Sequence, residues 1–343
     1  MRLSYEPLTL RTRHIFAISR GASDTFGGAI ARIEHDGLIG LGEAAPSPFY
    51  GENQSTVLAV LETLRQDVPE DPFLIEDAQQ RMEKRIRGNP AAKAAVDIAL
   101  HDLVCKKLGI PLYRFFGFSP EKAAHTSFTI GIDEIDVMKQ RALEASEFPV
   151  LKIKVGTDRD EFVLDAIRSV TDRTLRVDAN CAWTPREAVG KISRLERFGI
   201  EFVEQPIAPG DPQGLRFVRE NVAVPIIADE SVETSRDIEA LIGAVDGINI
   251  KLMKCGGLCE ALKMIHVARA VGMKVMLGCM VESSVGITAA AHLSPAVDYA
   301  DLDGNLLLAQ DPFSGVKVLQ GKLVLSSEPG LGVKARGTGC DAI

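Results

Sequence analysis

Three acidic residues recur at almost constant spacing in the second half of the chain. Asp178, Glu204 and Asp229 each end a short apolar run, and they are separated by 26 and 25 residues. Any one of them alone would more simply be a helix cap or an ion-pair partner. In a parallel βα barrel, however, this spacing places the three carboxylates side by side at the carboxyl-terminal rim. Neighbouring carboxylates repel unless a cation holds them, and oxygen ligands favour Mg²⁺ over zinc. We therefore predict one Mg²⁺ site.

Lysines flank this predicted metal site. Lys152 and Lys154 lie two residues apart in an apolar run, so in a strand they share one face. Lys251 ends a later run, and the strands that carry it and the pair are expected to face each other across the barrel. A second amine and a divalent cation would lower a lysine pKa from about 10.4 towards that of a usable base. Two bases beside a metal-held carboxylate favour moving a proton from one face of a carbon to the other.

The remaining charged candidates each have two interpretations. Asp301 and Asp303 share a face at the end of the last predicted strand, where they bind a substrate ammonium or else cap a helix or pair with a lysine. Arg20 is a solvated arginine, or its loop folds over the barrel mouth and the guanidinium binds a substrate carboxylate. Lys254 is expected to point away from the site and to be structural.

The elements that must position these residues are short apolar strands that alternate with amphipathic helices from about residue 119. Eight strands about two dozen residues apart predict a closed parallel βα barrel. An open doubly wound sheet is the alternative, but its glycine-rich turn after the first strand is missing. The predicted strands are 126–130, 150–155, 175–178, 201–204, 225–229, 247–251, 274–279 and 298–302.

The first part of the chain has a different pattern. Residues 3–10, 14–18 and 29–34 alternate as antiparallel strands do, and Asp36-Gly37 predicts a hairpin turn. The composition of Ser19 to Gly28 predicts a mobile loop, and Phe49 to Glu52 is expected to form a second loop over the mouth.

Helices are predicted from Gln54, after Pro72 and from Asn89-Pro90, where asparagine caps the helix and proline opens it. We predict an α+β capping domain over residues 1–118, the catalytic barrel over 119–315, and a C-terminal segment, 316–343, that returns to the first domain.

Composition limits the classes of partner. The net charge of −8 argues against nucleic acid and anionic membranes, and no apolar run is long enough to span a bilayer. The six cysteines are scattered, as is typical of reduced thiols in a cytoplasmic protein, and no secretion signal is evident at the N-terminus. The predicted location is cytoplasmic.

Taken together, these motifs resemble the enolase superfamily, muconate lactonizing subgroup, over essentially the whole chain. The resemblance implies an α/β fold, a (β/α)8-type, modified (β/α)7β TIM barrel with an N-terminal α+β capping domain. It also implies one Mg²⁺ that stabilises an ene-diolate, with lysine as the base. The motifs that carry it are Lys152-Ile153-Lys154, Asp178-Ala179-Asn180, Glu204-Gln205-Pro206, Ala228-Asp229-Glu230-Ser231, Asn249-Ile250-Lys251 and Gly278-Cys279-Met280-Val281-Glu282-Ser283.

Within that superfamily the chain resembles the dipeptide epimerases, such as the L-alanyl-glutamate epimerases. Asp301-Leu302-Asp303-Gly304 is similar to the motif that binds the dipeptide α-ammonium, and the loop around Arg20 is similar to one that supplies an arginine to the glutamate side chain. Asn305 stands where proline is expected in the alanyl-glutamate enzymes, which leaves the side-chain preference open.

The function this resemblance implies is 1,1-proton transfer at the α-carbon of the C-terminal residue of a dipeptide. Lys154 and Lys251 would be the two bases, and Lys152 would lower the pKa of Lys154. The alternatives are an N-acylamino acid racemase, an o-succinylbenzoate synthase or cycloisomerase, and a carboxylate-binding protein without activity. The expected partner is a small dipeptide, and a homo-oligomer is an open alternative.

Overall fold

A computed structural model describes residues 1–336 of the chain. The N-terminal part begins with a three-stranded antiparallel sheet in the order β1-β2-β3, formed by Arg2–Ile18, Gly21–His35 and Leu38–Ala44. The predicted hairpin at Asp36-Gly37 is confirmed, because His35 pairs with Leu38 and the two turn residues have φ of 51° and 76°. Aspartate and glycine both tolerate this left-handed conformation.

The predicted mobile loop over residues 19–28 is wrong. Ile18 pairs with Gly21 across a two-residue turn, and the pairing of β1 with β2 continues along the whole segment. The two strands expected before it are one strand, with a shift of register between Arg11 and Phe16. This end of the hairpin is largely exposed, so its glycines and small polar residues are tolerated while main-chain hydrogen bonds hold the strands together.

Four helices follow the sheet, and the third is buried along most of its length against β3. Pro90 opens this helix as predicted, and Gly109, with φ of 69°, ends it. Asn89 precedes the helix, but its side chain makes no capping bond; Glu52 accepts the Ala91 N–H at 3.2 Å instead. The helices are α1 Gln54–Leu64, α2 Ile75–Arg85, α3 Pro90–Leu108 and α4 Leu112–Phe115.

Eight parallel strands, β4 to β11, then form one sheet in chain order. Thr126 bridges to Ala300, and the Ser127 N–H lies 3.1 Å from the Ala300 carbonyl oxygen, so the first and last strands meet and the sheet closes into a barrel. The strands are β4 Phe128–Ile130, β5 Val150–Lys154, β6 Thr174–Asp178, β7 Ile200–Glu204, β8 Ile226–Ala228, β9 Gly247–Ile250, β10 Lys274–Gly278 and β11 Tyr299–Asp301.

A helix follows each of the first seven barrel strands, and within residues 1–336 none follows β11. The predicted modified (β/α)7β barrel with an N-terminal antiparallel-sheet domain is therefore confirmed, and every strand boundary lies within two residues of its prediction. The barrel helices are α5 Ile135–Glu144, α6 Asp160–Arg168, α7 Pro185–Leu195, α8 Pro212–Glu220, α9 Ile238–Leu241, α10 Leu252–Cys255, α11 Leu258–Ala270 and α12 Ser284–Ala291.

The barrel interior is filled in layers. Near its amino-terminal end the Arg176 guanidinium packs against the rings of Phe202 and Tyr299, 5.2 and 4.9 Å from their centroids. Ile227 and Met276 complete this layer. Successive strand residues point to opposite faces, so residues two positions further along the same strands enter the layer above. That upper layer, at the carboxyl-terminal rim, holds the predicted site.

The C-terminal segment contains the short strands β12 Phe313–Ser314, β13 Lys317–Leu319, β14 Lys322–Val324 and β15 Lys334–Ala335. It contacts the N-terminal part where Gly330 bridges to Pro111 and where the Leu331 N–H donates to Asp102 at 2.8 Å. Residues 337–343, which include Cys340 and the end of the predicted returning segment, lie outside the described residues; the five other cysteines are free thiols. No described helix has the length and apolar character that a membrane span needs.

Candidate active site

The three predicted carboxylates meet at the rim of the barrel. Asp178 and Glu204 are the last residues of β6 and β7 and lie in register, and Asp229 directly follows β8. All three side chains are fully buried. Strand pairing thus places the carboxylates side by side, as the spacing predicted, despite a register shift between Leu175 and Val177.

The chain turns sharply just beyond these residues. Asn180 and Gln205 have φ of 44° and 35°, a conformation that costs a residue other than glycine about 1–3 kcal/mol. Hydrogen bonds hold both turns: the Asn180 N–H donates to Asp178 Oδ1 at 2.9 Å, and Gln205 Oε1 accepts the Asp229 N–H at 2.8 Å. The strained turns fix the orientation of the carboxylates.

Each predicted lysine reaches this cluster. Lys152 is buried, and its Nζ lies 2.9 Å from Asp178 Oδ2, 2.8 Å from Glu204 Oε2 and 2.7 Å from Asp301 Oδ2. The Lys154 Nζ lies 2.6 Å from Asp178 Oδ2. Lys152 therefore lies among the acidic groups, and Lys154 lies beside them.

The negative charge of Glu204 is less compensated than that of Asp178, so Glu204 is the better placed of the two to bind a hard divalent cation. Lys152 and Lys154 both contact Asp178, so although burial alone would raise its pKa, the two ammoniums hold that pKa below the usual range. Among the described residues Glu204 forms an ion pair with Lys152 alone, and burial together with Asp178 raises the pKa of Glu204 to about 7. The Lys152 Nζ that lies 2.8 Å from Glu204 Oε2 forms an ion pair with it but lacks hydrogen-bond geometry, so this buried oxygen has no hydrogen bond. Three buried carboxylates, one of them under-compensated, suit Mg²⁺.

The prediction that Lys254 points away from the site is wrong. Its Nζ lies 2.6 Å from Asp229 Oδ1, while the Lys251 Nζ lies 2.7 Å from Oδ2 of the same carboxylate. The short helix α10 starts directly after Lys251, so one turn brings Lys254 back beneath the strand end. Burial lowers the pKa of Lys251, but Asp229 outweighs this and holds the pKa above its usual range. A neutral Lys251 therefore requires Asp229 to be engaged elsewhere.

Asp301 and Asp303 have different surroundings. Asp301 accepts hydrogen bonds from Ser127 Oγ at 2.6 Å and from Lys152 Nζ at 2.7 Å. Asp303 accepts the Thr129 N–H at 2.6 Å, and no lysine or arginine of the described residues forms an ion pair with it. Burial and the neighbouring Asp301 raise the pKa of Asp303 to about 7. Of the two, Asp303 is the carboxylate that still needs a cation.

Arg20 folds over the mouth, at the turn between β1 and β2. Its Nη1 donates to the buried Glu230 and, at 2.9 Å, to the Asn180 carbonyl oxygen. The guanidinium carbon also lies 4.3 Å from the centroid of the Phe49 ring. The loop that carries Phe49 thus contacts the hairpin, and both line the mouth.

These residues surround a cavity of about 610 Å³. Its floor holds Lys152, Lys154, Lys251, Asp301 and Asp303, and its apolar wall includes Leu8, Leu10, Phe16, Phe26, Val281 and Leu307. The cavity leaves the lysines and Asp303 facing one space in which a small molecule can lie.

Sequence reasoning gave no role to Glu230 or Gln205 and wrongly placed Lys254 outside the site, whereas Phe49 lines the mouth as its predicted loop required. Glu230 and Gln205 each stand next to a predicted ligand, and such adjacency was the only available signal. The contact of Arg20 with Glu230 joins residues 210 positions apart, so no local sequence pattern predicts it.

Comparison with known proteins adds an independent line of evidence. The family model described as "Enolase C-terminal domain-like" matches residues 136–338. The N-terminal domain model of mandelate racemase and muconate lactonizing enzyme matches residues 7–117. This chain belongs to the enolase superfamily. The resemblance deduced from the motifs is thereby confirmed.

Several members of the enolase superfamily are similar to this chain along almost its whole length. The L-Ala-D/L-Glu epimerase of Bacteroides thetaiotaomicron is 44% identical over 97% of this chain and 88% of its own. The hydrophobic dipeptide epimerase of Enterococcus faecalis is 42% identical over 94% of this chain and 96% of its own. A crystal structure of the dipeptide epimerase from Enterococcus faecalis with Mg and L-Leu-L-Tyr superposes with a TM-score of 0.92, at 40% identity, covering 97% of this chain and 98% of that one.

Proposed function

We propose that this chain is a Mg²⁺-dependent dipeptide epimerase that moves a proton at the α-carbon of the C-terminal residue. The observation that carries the proposal is the placement of Lys154 and Lys251. Lys154 ends β5 and Lys251 directly follows β9, two strands that lie opposite one another in the barrel, and both lysines line the same cavity. Two amines on opposite sides of one carbon allow removal of the proton from one face and its return to the other.

The metal ligands in this proposal are Asp178, Glu204 and Asp229. Bound by these residues, Mg²⁺ would supply electrostatic stabilisation of the negative charge that develops on the substrate carboxylate when the α-proton leaves. The chain's own groups then have separate tasks. Lys154 and Lys251 accept and donate the proton, each serving one configuration. Lys152, held by three carboxylates, supplies a fixed positive charge beside Lys154, since both lysines contact Asp178.

Asp303 identifies the other end of the substrate. A buried carboxylate without a basic side-chain partner favours a ligand that brings a positive charge. A dipeptide with a free α-ammonium meets this need, whereas an N-acylated amino acid or a cycloisomerase substrate does not. Asp301 is already paired with Lys152, so Asp303 is the carboxylate of the two that is left to bind the ammonium.

We also infer that three successive parts of the chain have different tasks. Residues 119–315 supply the catalytic barrel, residues 1–118 cap its mouth, and the segment from residue 316 braces the two. The β1–β2 turn with Arg20 and the loop with Phe49 support this division, because both line the cavity above the barrel residues.

The test is deuterium uptake in D₂O with Mg²⁺, followed by mass spectrometry on pooled L,L-dipeptides that include alanyl-glutamate and alanyl-hydrophobic members. The proposal predicts uptake of one deuterium at the α-carbon of the C-terminal residue, with loss of uptake on chelation and recovery with Mg²⁺. Uptake from N-succinyl or N-acetyl amino acids but from no free-amine dipeptide would contradict it.

A further inference from the structure

A second cavity lies next to the active-site mouth. It measures about 410 Å³ and opens between the register shift of β1 and helix α5. Phe16, Thr129 and Leu307 line both cavities, so these three residues form the partition between them. The second cavity is therefore separated from the reaction site by a single layer of side chains.

The partition is also the place where the substrate amine is bound in the proposed function. The Thr129 N–H donates to Asp303 Oδ2 at 2.6 Å, which fixes that carboxylate against the partition. The Thr129 hydroxyl lies 3.4 Å from Asp301 Oδ1. Phe16 and Leu307 line the same cavity as Asp303, so a dipeptide whose ammonium binds Asp303 would have these two side chains within the space around its N-terminal Cα.

The chemistry of the cavity suits an apolar group. The rings of Phe128 and Phe148 pack there at a tilt of 39°, with centroids 4.9 Å apart, and Val318 adds a further apolar surface. Of its charged residues, Arg13, Glu144 and Glu147 are exposed, and Arg141 is paired with Asp133. Burying an apolar side chain against these rings releases water from both surfaces, which favours binding.

A longer peptide chain fits this place less well than a side chain. If the backbone continued past Asp303, an uncharged amide would replace the ammonium, and a buried carboxylate would lose its cation. The group that extends from the fixed ammonium towards the second cavity is then the side chain of the N-terminal residue. Phe16 is half-buried and lies beside Gly131, which has no side chain to hold the ring in place.

We propose that the second cavity is a subsite for the side chain of the N-terminal residue, and that it takes large apolar side chains when Phe16 and Leu307 move aside. This inference rests on the proposed epimerase function, and it names a substrate class: dipeptides with a large apolar first residue.

Val318→Trp tests the proposal, because this residue lines the second cavity and does not line the active-site mouth. Leu319→Trp is the matched control, since the neighbouring side chain is 60% exposed and lines neither cavity. The measured quantity is the ratio of kcat/KM for L-Phe-L-Leu to kcat/KM for L-Ala-L-Leu, with L-Phe-L-Glu and L-Ala-L-Glu as a second pair.

Filling the cavity is expected to lower this ratio by about 10-fold or more in Val318→Trp and to leave it at the wild-type value in Leu319→Trp. Phe16→Ala removes part of the partition and is expected to raise the ratio, so it carries the test if circular dichroism shows that Val318→Trp does not fold.

The outcomes separate the two proposals. If the wild-type enzyme epimerises the L-Ala dipeptides and Val318→Trp has the same substrate ratio as the wild type, the subsite alone is overturned. An unchanged ratio in Phe16→Ala has the same meaning if that variant carries the test. Wild-type enzyme that epimerises none of the four dipeptides overturns the epimerase assignment and the subsite with it.

Discussion

The two walls of the active-site mouth stabilise their side chains in different ways. On the barrel rim, charged groups are buried and paired, as Lys152 shows by contacting three carboxylates within 2.9 Å. On the hairpin wall, β1 and β2 contribute apolar side chains, together with Arg20, whose side chain is 30% exposed. Removing one member of a buried charge cluster leaves its partner uncompensated, whereas removing part of an apolar wall changes mainly the shape of the space.

This difference assigns separate roles to the walls. The rim is expected to determine whether the reaction occurs, and the hairpin is expected to determine which side chains are accepted. Substitutions on the rim should therefore alter kcat or metal binding, and substitutions on the hairpin should alter selectivity among substrates.

The largest effect is expected from the two bases. Lys154→Ala and Lys251→Ala should each lower kcat for net epimerisation by about 10³-fold or more, because one face of the α-carbon loses its proton carrier. Both variants should stay folded, since Asp178 retains Lys152 and Asp229 retains Lys254. The assay is polarimetric or chiral chromatographic detection of the second epimer.

Lys274→Ala is the control for both base variants, because this lysine begins barrel strand β10 at the opposite end and is exposed. Its rate should equal that of the wild type. A Lys251→Ala enzyme that epimerises at the normal rate would contradict the two-base account.

The metal site gives the next largest effect. Glu204→Gln keeps the shape of the side chain but removes its charge, so the Kd for Mg²⁺ should rise by about 100-fold. Titration calorimetry without substrate measures this directly. Glu201→Gln, on the same strand but paired with Arg176 away from the cluster, should leave the Kd unchanged; equal losses in both variants would argue against Glu204 as a ligand.

A buried ionisable group outside the rim shows what happens without a counter-charge. His292 accepts the Tyr113 N–H at Nδ1 and donates from Nε2 to the Leu331 carbonyl oxygen, both at 3.1 Å, which requires the neutral ring. Burial lowers its pKa from 6.5 to about 4. Below pH 6.5 His292 therefore binds a proton in the unfolded chain but stays neutral in the folded protein until the pH approaches 4.

The contribution of neutral His292 to the free energy of unfolding should be fully present above pH 6.5. It should fall by about 3 kcal/mol as the pH drops to about 4. Urea unfolding across that range measures the loss. His292→Gln should flatten this part of the profile, and an unchanged slope in the variant would show that other groups cause it.

The smallest predicted effect distinguishes a residue that binds the substrate from a residue that affects the reaction step. Asp303→Asn should raise KM for a free-amine dipeptide by about 10-fold with little change in kcat, because a charged hydrogen bond to the ammonium is weakened. Asp301→Asn should instead lower kcat, since Lys152 loses one of its three partners. Steady-state kinetics on both variants decides the assignment; two silent variants would favour a cycloisomerase.

Sequence reasoning predicted the rim better than the hairpin, for a physical reason. Asp178 and Glu204 end strands whose spacing and alternation are local properties, so their meeting follows from the barrel geometry. The hairpin was misjudged because polar composition does not reveal main-chain pairing. Lys254 was misjudged because helix α10 begins at once after the strand, and the contact of Arg20 with Glu230 depends on how the N-terminal part sits on the barrel.

The most direct test of the central claim is stereospecific exchange in D₂O. Lys154→Ala and Lys251→Ala are each incubated with Mg²⁺ and, separately, with L-Ala-L-Glu and L-Ala-D-Glu or the best pair found for the wild type. Proton NMR then follows the α-hydrogen of the C-terminal residue. The account predicts that each variant exchanges this hydrogen in one epimer only, and that the two variants choose opposite epimers. Exchange of the same epimer by both variants, or of both epimers by either one, would contradict it.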